Sequence, residues 1–387
     1  MTVACAYLGA AIFDGTQRHE DHALLVRDGR VERIAPAREV EAGYERVRLD
    51  GGLLAPGFVD LQVNGGGGVL FNETPSVEGV KAICAAHARA GGSTALLPTV
   101  ITDRPEVTFA AIAAVQAAQA VGVPGCAGIH VEGPFLSLAR KGAHDPSLIR
   151  KMTAEDLDRL TASKVRPFLL TVAPESVTNG QIAALAASGI HVSLGHTDCD
   201  YETALAAFSA GASCVTHLFN AMSPLGHRAP GLVGAALDSE TVSCGFIADG
   251  HHVHPAALGA AIRAKRGRAR MLAVTDAMPT VGSLDDRFVL NGRVATRHEG
   301  RLTLEDGTLA GSDLSMVEAL RHLVGTLGVD LHEAMRMCSR DPAAYLGLTD
   351  RGVLDPGARA DMVWLSDDLR LQGVWIGGEP VRPDTRR

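Results

Sequence analysis

Hydrophobic and polar positions alternate between two periods along most of this chain. Ala/Leu-rich stretches at residues 76–90, 105–120, 154–162 and 179–188 carry apolar residues at helical spacing. Between and after them stand short β-branched or apolar runs, at 93–100, 128–131, 168–172, 191–194, 214–216, 243–247 and 271–274. A strand-then-helix unit repeated this often predicts a parallel sheet covered by helices. About eight such units suit a TIM-like (β/α)₈ barrel.

The two ends of the chain have a different texture. Residues 1–53 predict short strands, and the segment 23–34 alternates around Arg27-Asp28-Gly29-Arg30, where the Asp-Gly pair signals a hairpin. From Gly352 onward the same texture returns, with Asp355-Pro356-Gly357, then Asp361-Met362-Val363-Trp364-Leu365, then Val374-Trp375-Ile376-Gly377-Gly378. The expected organisation is a small β-sandwich domain shared by residues 1–53 and 355–387, with the α/β barrel over residues 54–354. There is no linker, low-complexity tract or clear internal repeat.

Composition narrows the class. Of 387 residues, 46% are hydrophobic and 21% charged, which is ordinary for a folded globular chain. A net charge of −8 excludes a general nucleic-acid surface, so any anionic ligand must meet a local cation. Seven scattered cysteines, an odd number without a C-x-x-C pair, fit a reduced compartment better than a disulfide framework. The apolar start lacks a basic flank and reaches Asp14-Gly15 early, so neither a signal peptide nor a membrane span is expected. The expected location is the cytoplasm.

Catalytic groups of a (β/α)₈ barrel stand at the C-terminal ends of its strands. Four runs end in a candidate: Glu132, His196, His217 and Asp276. Each alone is weak, since a strand-end histidine is more often a hydrogen-bonded structural group and Glu132 could cap a helix. Together, two imidazoles and a carboxylate from three strands make a ligand set that suits catalytic zinc and leaves a position open for water. Asp276 remains as an acid/base. The run Gly65-Gly66-Gly67-Gly68 has no following Gly-Lys-Ser/Thr, so it is expected to be a flexible barrel loop and not a phosphate cradle.

Longer motifs then make the match specific. Pro56-Gly57-Phe58-Val59-Asp60, His130-Val131-Glu132-Gly133-Pro134-Phe135, Gly142-Ala143-His144, Gly195-His196-Thr197, Thr216-His217-Leu218-Phe219-Asn220-Ala221-Met222, Asp249-Gly250-His251-His252, Val274-Thr275-Asp276-Ala277 and Leu309-Ala310-Gly311-Ser312 follow one another in order. The chain resembles, nearly end to end, the N-acetylglucosamine-6-phosphate deacetylase family of the amidohydrolase superfamily. The resemblance implies Glu132, His196 and His217 as metal ligands, Asp276 as catalytic acid/base and His252 as the residue contacting the substrate amide. It also places a sugar phosphate near Asn220, Ala221 and Arg228, and the sugar near Ala143, His144, Leu309, Ala310 and Gly311. A guanidinium at position 228 suits phosphate, because it donates two parallel bonds. His251 and His254 are expected to be solvated loop residues.

One segment departs from the superfamily's commonest pattern. Where a His-x-His pair ordinarily holds a second metal, this chain has Gln62 and Asn64 in Asp60-Leu61-Gln62-Val63-Asn64. Neutral amides are poorer zinc ligands than imidazoles, so one divalent ion, zinc or a similar metal, is expected, with Gln62 and Asn64 orienting water or substrate. The resemblance further implies a homodimer in which Arg228 reaches the neighbouring site. Alternatives are a deacetylase for the galactosamine epimer, a deaminase or cyclic-amide hydrolase on the same barrel, and a binding protein on a decayed one.

Overall fold

The computed structural model describes residues 4–268 and 270–382. Eight short strands pair in parallel, in sequence order: β1 (Phe58–Val63), β2 (Ser93–Ile101), β3 (Ile129–Glu132), β4 (Phe168–Val172), β5 (His191–Leu194), β6 (Ala212–Val215), β7 (Ser243–Ile247) and β8 (Met271–Val274). All residues of β1 and β2 are buried, because side chains fill the barrel on one face and helices cover the other. That two-sided burial is why these runs are continuously apolar. Main-chain bonds close the ring: Asp276 N–H donates to the Gln62 carbonyl (2.9 Å) and Asn64 N–H to that of Ala277 (2.9 Å).

Beneath the seam lies Asp60, fully buried on β1. Its Oδ2 accepts from Thr275 Oγ1 (2.6 Å), and its Oδ1 from the N–H groups of Gln62 (3.2 Å) and Thr275 (3.2 Å). Burial pushes its carboxyl up to about 7, against the pull of those bonds.

Eight helices follow the strands: α1 (Val77–Gly91), α2 (Pro105–Ala120), α3 (Ala154–Thr161), α4 (Asn179–Ala187), α5 (Tyr201–Ser209), α6 (Gly231–Asp238), α7 (Pro255–Ala264) and α8 (Met316–Gly325). Local sequence fixes several ends. Thr153 with Asp156, Thr178 with Gln181, and Ser315 with Glu318 form capping boxes at α3, α4 and α8. Gly92 ends α1 at φ 75°, a left-handed backbone that glycine adopts without a Cβ penalty. Two further helices, α9 (Leu331–Cys338) and α10 (Arg340–Tyr345), follow. Tyr345 bonds Ser213 (3.0 Å) and its ring lies tilted against that of His191, centroids 5.0 Å apart, which places α10 at the N-terminal end of the barrel.

Both chain ends build the sandwich. One sheet orders Arg30–Pro36, His22–Arg27, Ala4–Leu8 and Glu45–Arg48; the other includes Leu371–Ile376, Met362–Leu365, Leu53–Pro56 and Ala11–Phe13. Tyr7, Ile12, Leu24, Leu54 and Met362 fill the space between them. The expected hairpin is present, with Arg27 opposite Arg30 and positive φ at Asp28 and Gly29. Leu53–Pro56 is a strand of this second sheet, so the chain enters the barrel at Phe58 and not at residue 54.

Two features differ from the sequence reading. Gly65-Gly66 is not a flexible loop: it pairs with Val69-Leu70 and is buried, and His87 Nε2 donates to the Gly65 carbonyl (2.9 Å). A Cβ on Gly66 would stand 2.9 Å from the His87 ring, so the glycine run permits close packing. Between β8 and α8 the chain also forms an unanticipated four-stranded antiparallel sheet, Arg287–Leu290, Arg293–His298, Arg301–Leu304 and Leu309–Ser312. The Asn291-Gly292 and Asp306-Gly307 pairs were its sequence signal.

Asp361 joins sandwich and barrel. Its buried carboxylate accepts from Arg351 (2.8 Å), Arg359 (3.1 Å) and Gly377 N–H (2.6 Å), while its carbonyl accepts from Gly57 N–H (2.9 Å). Asp361→Ala should destabilise the protein by about 3 kcal/mol, because it strands two guanidiniums. Urea unfolding of both proteins checks this.

Candidate active site

Three of the four strand-end candidates have a left-handed backbone: His196 (φ 48°), His217 (φ 29°) and Asp276 (φ 54°). Non-glycine residues hold this conformation only where neighbours enforce it, at about 1–3 kcal/mol each. The enforcing bonds come from adjacent strands and from the loop after β6. Leu218 N–H donates to Gly245 (2.7 Å), Thr197 N–H to Ala221 (3.2 Å), and Asp276 N–H to Gln62. The kinks bring these side chains together at the barrel mouth.

Glu132 Oε1, His196 Nε2 and His217 Nε2 form a triangle whose three edges are each 3.1 Å. All three residues are buried, and among the described residues they are the only such metal-ligating group. His196 Nδ1–H donates to the Arg140 carbonyl (2.9 Å), so its Nε2 lone pair faces the carboxylate and the other imidazole. A cation shared by all three resolves that convergence of lone pairs. Tetrahedral zinc with bonds of about 2.0–2.1 Å sets its ligands about 3.3 Å apart, close to the observed edges. The donor set therefore fits a divalent ion.

Asp276 stands beside this triangle without joining it. Burial raises its carboxyl pKa and the Glu132 charge raises it further, while His217, His252 and the Asn64 bond oppose the rise. Burial also works against ionisation of Glu132, but the adjacent His196 and His217 rings prevail and hold its carboxyl well below the usual range. Gln62 Nε2 donates to both carboxylates, Glu132 Oε2 (3.1 Å) and Asp276 Oδ1 (3.1 Å), and Asn64 Nδ2 donates to Asp276 Oδ1 (2.7 Å). Buried Asn64 Oδ1 has no partner among the described residues, and Asn64 lines the cavity.

The cavity above these groups measures about 380 Å³. Ala143, His144, Asn220 and Ala221 line it from the loops, and Leu309 and Gly311 from the inserted sheet. A Cβ on Gly311 would lie 2.8 Å from the Asp276 carbonyl oxygen, so only glycine fits there without displacing Asp276. His144 is a buttress: its Nδ1 bonds Thr102 Oγ1 (2.8 Å), and its ring meets the His196 ring edge-on at 4.3 Å.

His252 lines the cavity and is fixed by Asp249. The Asp249 carboxylate lies 2.6 Å from His252 Nδ1 and also accepts from the N–H groups of His251 (2.8 Å) and His252 (2.9 Å). Burial raises the Asp249 carboxyl, but the His252 bond outweighs it and brings the pKa to about 2. Nδ1 is thus the donor, which leaves Nε2 for a ligand.

Not every expected residue meets the others. Ala310 is turned into the core of the inserted sheet with Leu302 and Leu304. Arg228 is exposed and does not line this cavity. His251 and His254 are also more constrained than expected: His251 Nδ1 bonds Arg301 Nε (3.0 Å), and His254 caps α7. Sequence reading missed Arg140, Asp249, Leu290 and Thr308. Asp249 had a signal in its position within Asp249-Gly250-His251-His252; the others depend on loops whose path tertiary packing sets.

Comparison with known proteins places this geometry. A model of the Amidohydrolase family matches residues 53–381, and one described as NagA composite domain matches residues 6–54. The chain belongs to the amidohydrolase family. It is 45% identical over 376 residues to N-acetylgalactosamine-6-phosphate deacetylase of Shewanella sp. (strain ANA-3), covering 96% of this chain and 94% of that relative. It is 38% identical over 380 residues to N-acetylglucosamine-6-phosphate deacetylase of Homo sapiens, covering 92% and 91%. The crystal structure of N-acetylglucosamine-6-phosphate deacetylase from Pasteurella multocida superposes with a TM-score of 0.94 at 33% identity, over 97% of this chain and 99% of that one. Metal dependence of the amidohydrolase family agrees with the Glu132–His196–His217 triangle.

Metal analysis of the purified amidohydrolase should find about one divalent ion per chain. His217→Ala should lower that occupancy, with added metal restoring part of it. An unchanged metal content in His217→Ala would remove this residue from the ligand set.

Proposed function

We propose that this amidohydrolase removes the acetyl group of N-acetylglucosamine 6-phosphate, giving glucosamine 6-phosphate and acetate in amino-sugar catabolism. The observation that carries the proposal is Asp276: a carboxylate held next to the three-ligand triangle, outside it, on the wall of a cavity of sugar-phosphate size. Zinc is the proposed ion and a reduced cytoplasm the proposed location, in keeping with seven unpaired cysteines. No helix among the described residues is long and apolar enough to cross a membrane.

Glu132, His196 and His217 would hold the divalent ion, which when bound would supply Lewis acidity to water and to the amide carbonyl. Asp276 takes the proton of the attacking water and returns it to the departing amine. Gln62 and Asn64 donate to Asp276, steadying its charged form and fixing its direction. His252 faces the acetamido oxygen with Nε2, its ring held in that orientation by the Asp249 carboxylate at Nδ1. Leu309 and Gly311, with Ala143 and His144, enclose the sugar.

Asn220 and Ala221 lie at the side of the cavity proposed for the phosphate. Arg228, exposed on the following loop, completes that subsite from the neighbouring subunit of a homodimer. A second reading is deacetylation of the galactosamine epimer, favoured by the 45% identity to a relative of that name. The two sugars differ only in the C4 hydroxyl.

Asp276→Asn should lower kcat about 10²–10⁴-fold while metal content and sugar-phosphate affinity stay near wild type. Near-wild-type turnover with metal verified would reassign the proton transfer. Steady-state kinetics on both epimers, with and without phosphate, test the substrate. We expect higher kcat/KM for the phosphorylated forms, and Arg228→Ala should remove most of that advantage. Equal rates for phosphorylated and free sugars would rule out the phosphate subsite, and a preference for the galactosamine epimer would select the second reading.

A further inference from the structure

A second cavity lies at the opposite mouth of the barrel. Ser243 opens β7 and Arg270 immediately precedes β8, so both stand at N-terminal strand ends, whereas the candidate active site stands at the C-terminal ends. Arg336 reaches this cavity from α9, Arg340 and Tyr345 from α10, and Arg268 from the segment before β8. It encloses about 460 Å³, compared with about 380 Å³ for the active-site cavity.

Its charge is anomalous for this chain. With 36 basic and 44 acidic residues overall, a surface arginine ordinarily has carboxylates at hand. Here four arginines line one cavity with a single acid, Asp341. Arg270 Nε stands 4.0 Å from Asp341, at the limit of an ion pair. Among the described residues, Arg268, Arg336 and Arg340 have no carboxylate within that distance. Arg340 is oriented without being neutralised: it donates to Thr16 Oγ1 (2.8 Å) and the Gly15 carbonyl (3.4 Å), both from the sandwich. Glu333 acts on Asp341 from a distance but does not line the cavity.

Like charges gathered in a concave site repel one another unless an anion joins them, and guanidiniums pair best with phosphoryl oxygens through parallel N–H bonds. One carboxylate does not balance four such groups. The volume accommodates a phosphate ester as readily as a free phosphate. We propose that this cavity is a second, non-catalytic anion site that binds a small phosphorylated molecule, with Arg270, Arg336 and Arg340 holding the phosphoryl group and the Ser243 hydroxyl beside them. The assignment is independent of the substrate proposed for the active site.

Calorimetric titration of the full-length, metal-loaded protein at low ionic strength tests it, with inorganic phosphate and glucose 6-phosphate as probes. The expected result is a binding event that weakens about 10-fold or more in the Arg270→Gln/Arg336→Gln variant and persists in Arg228→Gln. Amide hydrolysis by the double variant should be unchanged, which also verifies its fold. Should that variant fail to fold, the single substitution Arg270→Gln, at an exposed position, supplies the same test with a smaller loss. Tighter binding of glucose 6-phosphate would point to a sugar ester as the ligand, and tighter binding of inorganic phosphate to the free ion. Equal affinity of wild type and the arginine variants for both probes, or no binding by wild type, would overturn the proposal.

Discussion

The seam between β8 and β1 is the constraint on which the rest of the molecule depends. A parallel barrel works as a scaffold only if its last strand meets its first, and here both edges meet around the buried carboxylate of Asp60. The same few residues serve structure and chemistry. Thr275, which bonds Asp60, precedes Asp276; Gln62, whose carbonyl accepts from Asp276 N–H, sends its side chain to Glu132 and Asp276. Loss of closure would separate the proposed proton carrier from its donors as well as opening the barrel. Burial raises the Asp60 pKa even though the bonds from Thr275 and Gln62 pull it down.

From that seam the site is assembled by opposed electrostatic demands. Glu132, buried, and Asp276, half-buried, are two carboxylates in one small volume, an arrangement that repulsion and desolvation both disfavour. Their environments push them apart: two imidazoles hold Glu132 ionised, whereas Asp276 is raised despite its amide donors. Below them, a hydrogen-bonded row crosses the barrel interior from His130 to Thr171 (2.8 Å), Thr171 to Thr216 (2.7 Å) and Thr216 to Ser193 (2.6 Å). This row satisfies polar groups that an apolar barrel centre would leave unpaired. It also fixes the strands from which His196 and His217 emerge.

The inserted sheet completes the cavity from above. Its apolar side, with Leu290, Leu302, Leu304 and Ala310, packs over Met278, and Arg293 donates to the Ala143 carbonyl (2.6 Å). Leu309 and Gly311 therefore reach the space above Asp276 because of a packing arrangement two hairpins away. The sandwich is anchored in turn through Asp361, whose carbonyl receives the Gly57 N–H at the entry to β1.

Much of this was legible in the sequence wherever the signal was local. Continuous apolar runs gave the barrel strands because burial on both faces removes alternation, and Asp28-Gly29 gave its hairpin because those residues tolerate positive φ. Glu132, His196, His217 and Asp276 were visible as polar residues directly after such runs, since a strand end fixes where a side chain emerges. What sequence could not supply was distance across the fold. Gln62 and Asn64 differ from the usual ligand pair in sequence, but only the closed seam makes them donors to Asp276. The Gly65-Gly66 hairpin depends on His87 from another element, and Ala310 and Gly311, adjacent in sequence, face opposite sides of one strand. The chain by itself determined which residues end each strand, because that depends on local pattern; tertiary structure alone decided which of them meet, because 3.1 Å contacts between residues 64 and 85 positions apart follow from ring closure.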